Sequence, residues 1–269
     1  MTPYGLRVER SGARGTVARL VLARPDVRNA FNAELIAALT DTFGSLADEP
    51  PSRLRAVVLA GDGPVFCAGA DIGWQRAARS LSLEDNEADA GRLHDMLLAV
   101  DRCPVPVVAR VHGAALGGGM GLCAAADLVL AVAGTRFGFT ETKLGILPAV
   151  IAPFVLARIG EGQARAVIPP GERFDADRAM SMGLVHVVVP DEAALDARLD
   201  AAIAEILSAG PTAARAAKAL IRDLRGRPAD AAREQVVSVA ARQRVSPEGQ
   251  EGLSAFLEKR APIWPDDRE

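Results

Sequence analysis

The sequence predicts an α/β fold in which parallel strands alternate with helices, followed by a segment made only of helices. Over residues 1–192, short apolar runs alternate with segments whose apolar residues recur at helical spacing. Such alternation is typical of parallel strands joined by right-handed crossovers. The run 105–111 is nearly all apolar, as in a strand that is buried on both faces. Residues 193–269 have helical patterns only, without an obvious core of their own, which indicates a lid or an oligomerisation segment.

The individual elements follow from these patterns in order. Two strands are predicted at 6–10 and 16–23, with a glycine-containing turn between them. Pro25 ends the second strand, and Asn32 is a favourable N-cap for a helix that continues to residue 47. The other strands are predicted at 54–60, 105–111, 128–132, 136–139 and 185–189. The other helices are predicted at 84–100, 122–126, 152–159, 162–168, 176–182, 193–209, 211–226, 229–243 and 247–258.

The composition excludes several classes of protein. The chain has 269 residues, of which 49% are hydrophobic and 24% charged, as in ordinary globular proteins. A net charge of -3 and 4% aromatic residues argue against a nucleic-acid-coating surface. No apolar run approaches the roughly 18 residues of a membrane span. Cys67, Cys103 and Cys123 are odd in number and far apart, and the three histidines lack metal-ligand spacing. We therefore expect a cytoplasmic protein with no metal site and no nucleic-acid or membrane partner.

Two segments rich in small residues follow predicted strands. In residues 66–71, small residues would let a ligand approach the main-chain amides, although a plain loop is the alternative. Residues 113–121 contain five glycines and join a buried strand to a helix. Such a turn presents free N–H groups at the positive end of the helix dipole, which suits an anion or a developing oxyanion. Tight packing between strand and helix is the alternative explanation of these glycines.

The glycine-rich segment also permits a different interpretation. Gly119, Gly121 and Ala124 form the G-x-G-x-x-A pattern of dinucleotide-binding turns, with Glu141 about where a ribose-binding acid would lie. The segment lies in the middle of the chain, and the preceding strand ends several residues too early. Binding of NAD is therefore the weaker hypothesis.

Glu141 itself lies in an otherwise apolar stretch, where burial would raise its pKa and make it a general acid/base. A surface glutamate that caps a turn or forms an ion pair is equally compatible with the sequence.

These segments, in this order, resemble the crotonase (enoyl-CoA hydratase/isomerase) superfamily over about residues 6–264. The resemblance rests on five segments: Arg24-Pro25 with Asn29 to Asn32, Phe66 to Asp71, Leu116 to Gly119 with Asp127, Phe174 to Val189, and Phe256 to Arg260. It implies a crotonase-like spiral of ββα units over 1–192 and a helical segment over 193–269 that builds trimers, often hexamers. It also implies an acyl-CoA thioester as the ligand. Coenzyme A would be part of the substrate, and no separate cofactor is expected.

The resemblance also assigns roles to residues. Glu141 would be the general acid/base, and the N–H groups of Ala70 and Gly118 would hold the thioester oxygen as an oxyanion. The substrate and its CoA portion would contact Arg28, Ala30, Ala68, Ala70, Asp71, Ile72, Gly118, Gly121 and Lys259. Lys259, together with Phe256, would reach the CoA bound by a neighbouring subunit.

One departure from the family pattern affects the expected reaction. Typical hydratases carry two catalytic glutamates, and Gly121 stands at the position of one of them, while Glu141 matches the other. A single carboxylate can take a proton from water with one oxygen and deliver a proton to C2 with the other. Family isomerases work with one glutamate. The leading hypothesis is therefore an enoyl-CoA hydratase, with a Δ3,Δ2-enoyl-CoA isomerase and a catalytically weak acyl-CoA-binding protein as alternatives.

The acyl group is expected to be short, branched or of the glutaconyl type. Residues 68–74 and 141–153 resemble bacterial methylglutaconyl-CoA hydratase-like proteins, a branch that tolerates glycine at position 121. Ala149, Val150 and Ile151 replace a glycine-rich run and would narrow the acyl pocket, of which Trp74 is a second candidate wall. A glutaconyl group would need a cation for its distal carboxylate. The candidates are Arg76, Lys143 and Arg158.

Overall fold

The computed structural model describes residues 3–264. The last five residues of the predicted helical segment, 265–269, lie outside the described residues. The strands are β1 (Leu6–Ser11), β2 (Val17–Leu22), β3 (Ala56–Gly61), β4 (Val107–Val111), β5 (Ala114–Leu116), β6 (Leu128–Val132), β7 (Arg136–Gly138), β8 (Arg173–Asp175) and β9 (Val187–Val189). The helices are α1 (Ala33–Ala47), α2 (Ile72–Ala78), α3 (Leu83–Asp101), α4 (Gly118–Ala125), α5 (Ala152–Val167), α6 (Ala176–Ser181), α7 (Glu192–Ser208), α8 (Pro211–Asp223), α9 (Ala229–Val245) and α10 (Pro247–Leu257).

Six strands form the main sheet, in the order β1-β2-β3-β4-β6-β9. The hairpin β1–β2 is antiparallel, and each later pair in this sheet is parallel. A second sheet has the order β5-β7-β8, with β5 parallel and β8 antiparallel to β7. The predicted α/β alternation with a parallel sheet is confirmed.

The main sheet is covered on both faces. Val57 and Leu59 of β3 belong to the larger core, which also takes in α1, α3 and α4, whereas Val58 faces a smaller core on the other side. Leu195 and Leu199 of α7 fill that smaller core. This alternation is the two-residue period of a strand buried on both faces. The first helix of the predicted helical segment therefore covers the sheet, and helices α8 to α10 follow it.

Several elements differ from the sequence-based expectation. Helix α4 begins at Gly118, four residues before the predicted start at 122, because glycines with low helical propensity are held in the helix by tertiary packing. Helix α2 was not predicted; Asp71 caps it by accepting hydrogen bonds from the N–H groups of Gly73 and Trp74. Strands β5 and β8 were also missed, since three-residue strands leave almost no pattern in the sequence. The two short helices predicted at 152–159 and 162–168 form α5, which has a kink at Gly160.

Candidate active site

Both segments rich in small residues and Glu141 line one cavity of about 480 Å³. The cavity lies against α2, α3 and the N-terminal end of α4, and the segment from Leu144 to Ile151 closes another side. Its lining is mostly apolar, with a few polar side chains: Gln75, Asn86, Asp89, Thr140 and Glu141. Trp74, one of the two predicted acyl-pocket walls, is among the lining residues, and so are Val150 and Ile151.

The first segment is fixed by backbone hydrogen bonds on both sides of Ala70. The N–H of Phe31 donates to Gly69 O at 2.7 Å, and the N–H of Asp71 donates to Phe31 O at 2.8 Å. The N–H of Cys67 donates to Ala114 O at 3.1 Å, which ties this segment to the second one. Among the described residues, the amide of Ala70 has no hydrogen-bond acceptor. Ala70 therefore lines the cavity with an unused donor in a rigidly held backbone.

The second segment brings its backbone unusually close to its neighbours. A Cβ on Gly118 would lie 2.6 Å from Cδ2 of Phe31, so only glycine fits there without a shift. Gly118 is the first residue of α4, where the N–H has no intrahelical partner. Gly117 precedes it with φ +49, a conformation that favours glycine. These contacts place the free amide end of a helix at the cavity that Ala70 also lines.

Glu141 begins a short 3-10 turn, Glu141–Leu144, that follows β7. Its Oε2 atom is buried and has no hydrogen-bond partner among the described residues. Burial raises the pKa of this carboxyl group above its ordinary value. Its Oε1 atom lies 3.1 Å from the position that a Cβ on Gly117 would occupy, so the carboxyl group is next to the glycine-rich segment. A half-buried carboxyl group with a raised pKa beside free amides can exchange protons with a bound ligand.

Gly121, where the hydratase pattern has a second glutamate, packs against apolar side chains. A Cβ at this position would lie 2.7 Å from Cγ2 of Ile151 and 3.0 Å from Cδ1 of Leu97. Gly121 is buried and is not among the residues that line the cavity. The space for a second carboxylate is therefore occupied by Ile151 and Leu97.

The other predicted binding residues fall into two groups. Ala68 and Ile72 line the cavity, together with Ala70 and Gly118. The side chain of Asp71 instead pairs with Arg24 at 2.9 Å and caps α2. Burial alone would raise the pKa of Asp71, but hydrogen bonds from Gly73 N–H and Arg24 hold it below its ordinary value.

Three predicted CoA contacts lie outside the cavity lining. Arg28 is exposed, has a left-handed backbone and accepts a hydrogen bond from Ala68 N–H at its carbonyl. Ala30 is buried, and its carbonyl accepts a hydrogen bond from Arg24. Lys259 is exposed just after α10, with φ 54. The roles of these three residues toward CoA stay predictions.

None of the three candidate cations for a distal carboxylate lines the cavity within the part of the chain that the structure describes. Arg158 donates to the carbonyls of Ala124 and Ala126 at the end of α4. Arg76 and Lys143 are exposed. The sequence reasoning missed Asn86 and Asp89, which line the cavity from α3. In the sequence, their position at the cavity is indicated only by their spacing: Asn86 and Asp89 are three residues apart, and Leu93 follows on the same helix face.

Residues 3–264 contain neither a metal-binding cluster nor a membrane-spanning helix. No group of three or more His, Cys, Asp or Glu side chains in this range is arranged to hold a metal ion. No helix in the same range is both long and apolar enough to cross a membrane.

Comparison with known proteins identifies the family. Residues 12–267 match the family model described as enoyl-CoA hydratase/isomerase. The enoyl-CoA isomerase/hydratase fer4 of Mycosarcoma maydis is 33% identical, over 92% of each chain. Crystal structures of enoyl-CoA hydratases from Shewanella pealeana and Mycobacterium smegmatis superpose with TM-scores of 0.91 each. The first is 34% identical and covers 98% of this chain and 97% of its own; the second is 35% identical, with 97% and 98% covered.

The fold and the cavity thus define an enzyme of the crotonase class, with a helical C-terminal segment. The chain belongs to the enoyl-CoA hydratase/isomerase family. The predicted membership of this superfamily is confirmed, and so is the predicted fold class. Membership of the methylglutaconyl-CoA branch stays a prediction.

Proposed function

We propose that the protein adds water to a 2-enoyl-CoA thioester, with Glu141 as its only catalytic carboxylate. The observation that carries this proposal is the position of Glu141. It lines the same cavity as Ala70 and Gly118, its Oε2 atom is buried without a partner among the described residues, and burial raises its pKa. The names of the relatives, which include both hydratases and an isomerase/hydratase, support the same reaction class.

In the proposed binding mode, the thioester oxygen accepts hydrogen bonds from the N–H groups of Ala70 and Gly118. Attack of a water oxygen on C3 moves the electron pair of the C2–C3 double bond toward the thioester, which becomes an enolate. The two amides stabilise the negative charge on its oxygen. One such donor typically lowers the barrier by about 3–4 kcal/mol. The rigid backbone on both sides of Ala70 means that the donor needs no reorganisation during the reaction.

Glu141 would act as both a base and an acid in the same addition. The protonated oxygen of the Glu141 carboxyl group delivers its proton to C2 of the enolate, and the other oxygen accepts the proton that the attacking water loses. The group then ends in the protonation state in which it began. Water and C2 lie on one face of the substrate in such a syn addition, so a single carboxyl group can reach both. Burial raises the pKa of this carboxyl group, which favours the protonated form that donation to C2 requires.

A second candidate is a Δ3,Δ2-enoyl-CoA isomerase, favoured by the packing at Gly121. Because Ile151 and Leu97 occupy the space for a second carboxylate, the chemistry rests on one base. Isomerisation removes a proton from one carbon and returns it to another two positions away, which needs one base and the same two amides. Glu141, Ala70 and Gly118 would have the same roles in that reaction.

We also propose the assembly and the way in which CoA enters. Coenzyme A arrives as part of the substrate, and no separate cofactor is required, because the steps above use only proton transfer and hydrogen bonding.

Support for a trimer or hexamer comes from exposed apolar side chains on the C-terminal helices: Ile221, Val245, Phe256 and Leu257. Lys259 lies just beyond α10, from where it would contact the CoA of a neighbouring subunit. The three described cysteines are free and buried, as suits a reducing cytoplasm.

Mass spectrometry of products from a panel of 2-enoyl- and 3-enoyl-CoAs tests the proposed reaction. A product heavier by one water from a 2-enoyl-CoA supports hydration. A product of unchanged mass with a shifted double bond supports the isomerase instead. Binding of the thioesters without any product would contradict both candidates and favour an acyl-CoA-binding role.

A further inference from the structure

One wall of the cavity is a face of helix α3. Asn86, Asp89, Ala90 and Leu93 lie on it at three- and four-residue intervals and line the cavity. Leu97 follows one turn later and packs where a side chain of Gly121 would be. At about 1.5 Å per residue, Asp89 lies roughly 12 Å along the helix axis from Leu97. Asp89 therefore lines the cavity at a position on α3 that is well separated from the contact at Gly121.

Asp89 is a carboxylate placed in mostly apolar surroundings. It is 8% exposed, and its Oδ1 atom accepts a hydrogen bond from Nη2 of Arg92 at 2.7 Å. Arg92 is more than half exposed and is not among the lining residues, so it holds Asp89 from the solvent side. Among the described residues, Oδ2 of Asp89 has no hydrogen-bond donor.

The charge of this lining has one sign. Asp89 and Glu141 are the only acidic or basic side chains that line the cavity within residues 3–264, and both are acidic. Moving a carboxylate from water into such a cavity removes its hydration without supplying a cation, which is strongly unfavourable. The negative charge of Asp89, which the solvent-exposed Arg92 offsets only in part, adds repulsion toward a second carboxylate.

We propose that Asp89 is a specificity-determining residue that makes this cavity select uncharged acyl groups over acyl groups ending in a carboxylate. The inference rests on the proposed function for the thioester ligand and adds its acyl class. An opposing charge in the cavity gives selectivity by rejecting the wrong ligand, without any change at Glu141. The short or branched acyl groups expected from the sequence remain compatible, whereas the glutaconyl type is excluded.

Binding of two saturated thioesters tests this selectivity without turnover. Pentanoyl-CoA and glutaryl-CoA have the same number of acyl carbons and differ by a terminal carboxylate, so the charge of CoA cancels in the comparison. By titration calorimetry, we expect the wild-type protein to bind glutaryl-CoA at least about tenfold more weakly. Affinities within threefold of each other, or a preference for glutaryl-CoA, would overturn the proposal.

Variants then assign the selectivity to Asp89. Asp89→Asn keeps the size of the side chain. We expect it to reduce the ratio of the affinities for pentanoyl-CoA and glutaryl-CoA, called the gap below, at least about threefold. Asp95→Asn is the matched control, because Asp95 lies on the same helix with a side chain that is 71% exposed and does not line the cavity. Equal gaps in the two variants would contradict the role of Asp89. As a gain-of-function test, Ala90→Lys adds a cation on the lining face and should tighten glutaryl-CoA binding; an unchanged gap would count against the proposal.

The proposed acyl selectivity and the proposed reaction can fail independently of each other. If no enoyl-CoA is hydrated but pentanoyl-CoA still binds in preference to glutaryl-CoA, the proposed reaction fails and the selectivity stands. If a glutaconyl-type thioester is hydrated as efficiently as a neutral one, the proposed reaction stands and the selectivity fails. If neither saturated thioester binds, both fail.

Discussion

The side chain of Ile151 occupies the space into which a side chain on Gly121 would extend. The Cγ2 atom of Ile151 lies 2.7 Å from the position of a Cβ on Gly121, and Leu97 closes the other side at 3.0 Å. Gly121 is thus part of a close contact between α4 and the residues before α5. Gly121 and the bulky Ile151 are therefore two parts of one packing arrangement, which leaves no room for a longer side chain at position 121.

The packing at Gly121 predicts that a glutamate cannot simply be restored there. Gly121→Glu should destabilise the protein by at least about 2 kcal/mol, because the new side chain overlaps Ile151 and would bury a carboxylate among apolar groups. Urea unfolding measures the change. Gly91→Glu on α3 is the matched control, since a Cβ there meets nothing within 4 Å, and it should change stability by less than about 1 kcal/mol. Equal losses in the two variants would show that the overlap is unimportant.

The position of Asp71 predicts a structural rather than a CoA-binding effect. Asp71→Ala removes the cap of α2 and the ion pair with Arg24, and should cost about 1–2 kcal/mol of stability. Because Ala70 precedes Asp71, kcat should fall while the affinity for free CoA stays the same. Asp175→Ala removes the cap of α6 and is the control: a similar stability loss with unchanged kcat is expected. A large loss of CoA affinity in Asp71→Ala alone would instead favour direct contact with CoA.

The raised pKa of Glu141 predicts a particular pH dependence of stability. An unfolded chain ionises this carboxyl group near its ordinary value of 4.5, whereas the folded protein ionises it at higher pH. The contribution of Glu141 to stability is therefore full below pH 4.5 and is lost as the pH rises through its folded pKa. As the pH rises through this range, the free energy of unfolding of Glu141→Gln should increase relative to that of the wild type, and the difference should stay constant at higher pH. Urea unfolding between pH 4 and 9 measures both proteins. If the difference between them does not change with pH, the pKa of Glu141 is not raised.

The exposed apolar side chains at the end of α10 predict dissociation on charge insertion. Phe256 and Leu257 are 80% and 78% exposed in the isolated chain. Replacing both with Asp should convert the proposed trimer to monomers in analytical ultracentrifugation, because buried charges oppose association. Val8→Asp changes an exposed apolar residue on β1 instead and should leave the sedimentation coefficient unchanged. An assembly unaffected by the double variant would place the interface elsewhere.

Periodic patterns allowed much of the fold to be predicted from the sequence. Helix α1 with its cap at Asn32 and strand β4 appear where apolar spacing and breaking residues place them. The role of Glu141 as a buried acid was open in the sequence, because an apolar neighbourhood along the chain does not decide whether a side chain is buried. The structure resolves that point by placing its Oε2 atom out of contact with solvent.

Contacts between distant parts of the chain could not be predicted. Gly121 and Ile151 are neighbours only because α4 packs against the start of α5. Asp89 resembles any solvent-facing acid of a charged helix, yet it is 8% exposed and lines the same cavity as α2 and the segment from Leu144 onward. Neither relationship leaves a local pattern, so both needed three-dimensional coordinates.

The most direct test of the central claim is the rate of hydration of a neutral 2-enoyl-CoA by Glu141→Gln. A single-carboxylate mechanism predicts a kcat lower by about 10²–10⁴-fold or more, with acyl-CoA affinity within about threefold of the wild type. Glu161→Gln, on an exposed glutamate of α5, should retain the wild-type rate. If Glu141→Gln kept more than about a tenth of the wild-type kcat, another group would have to transfer the proton and the account given for Glu141 would be wrong.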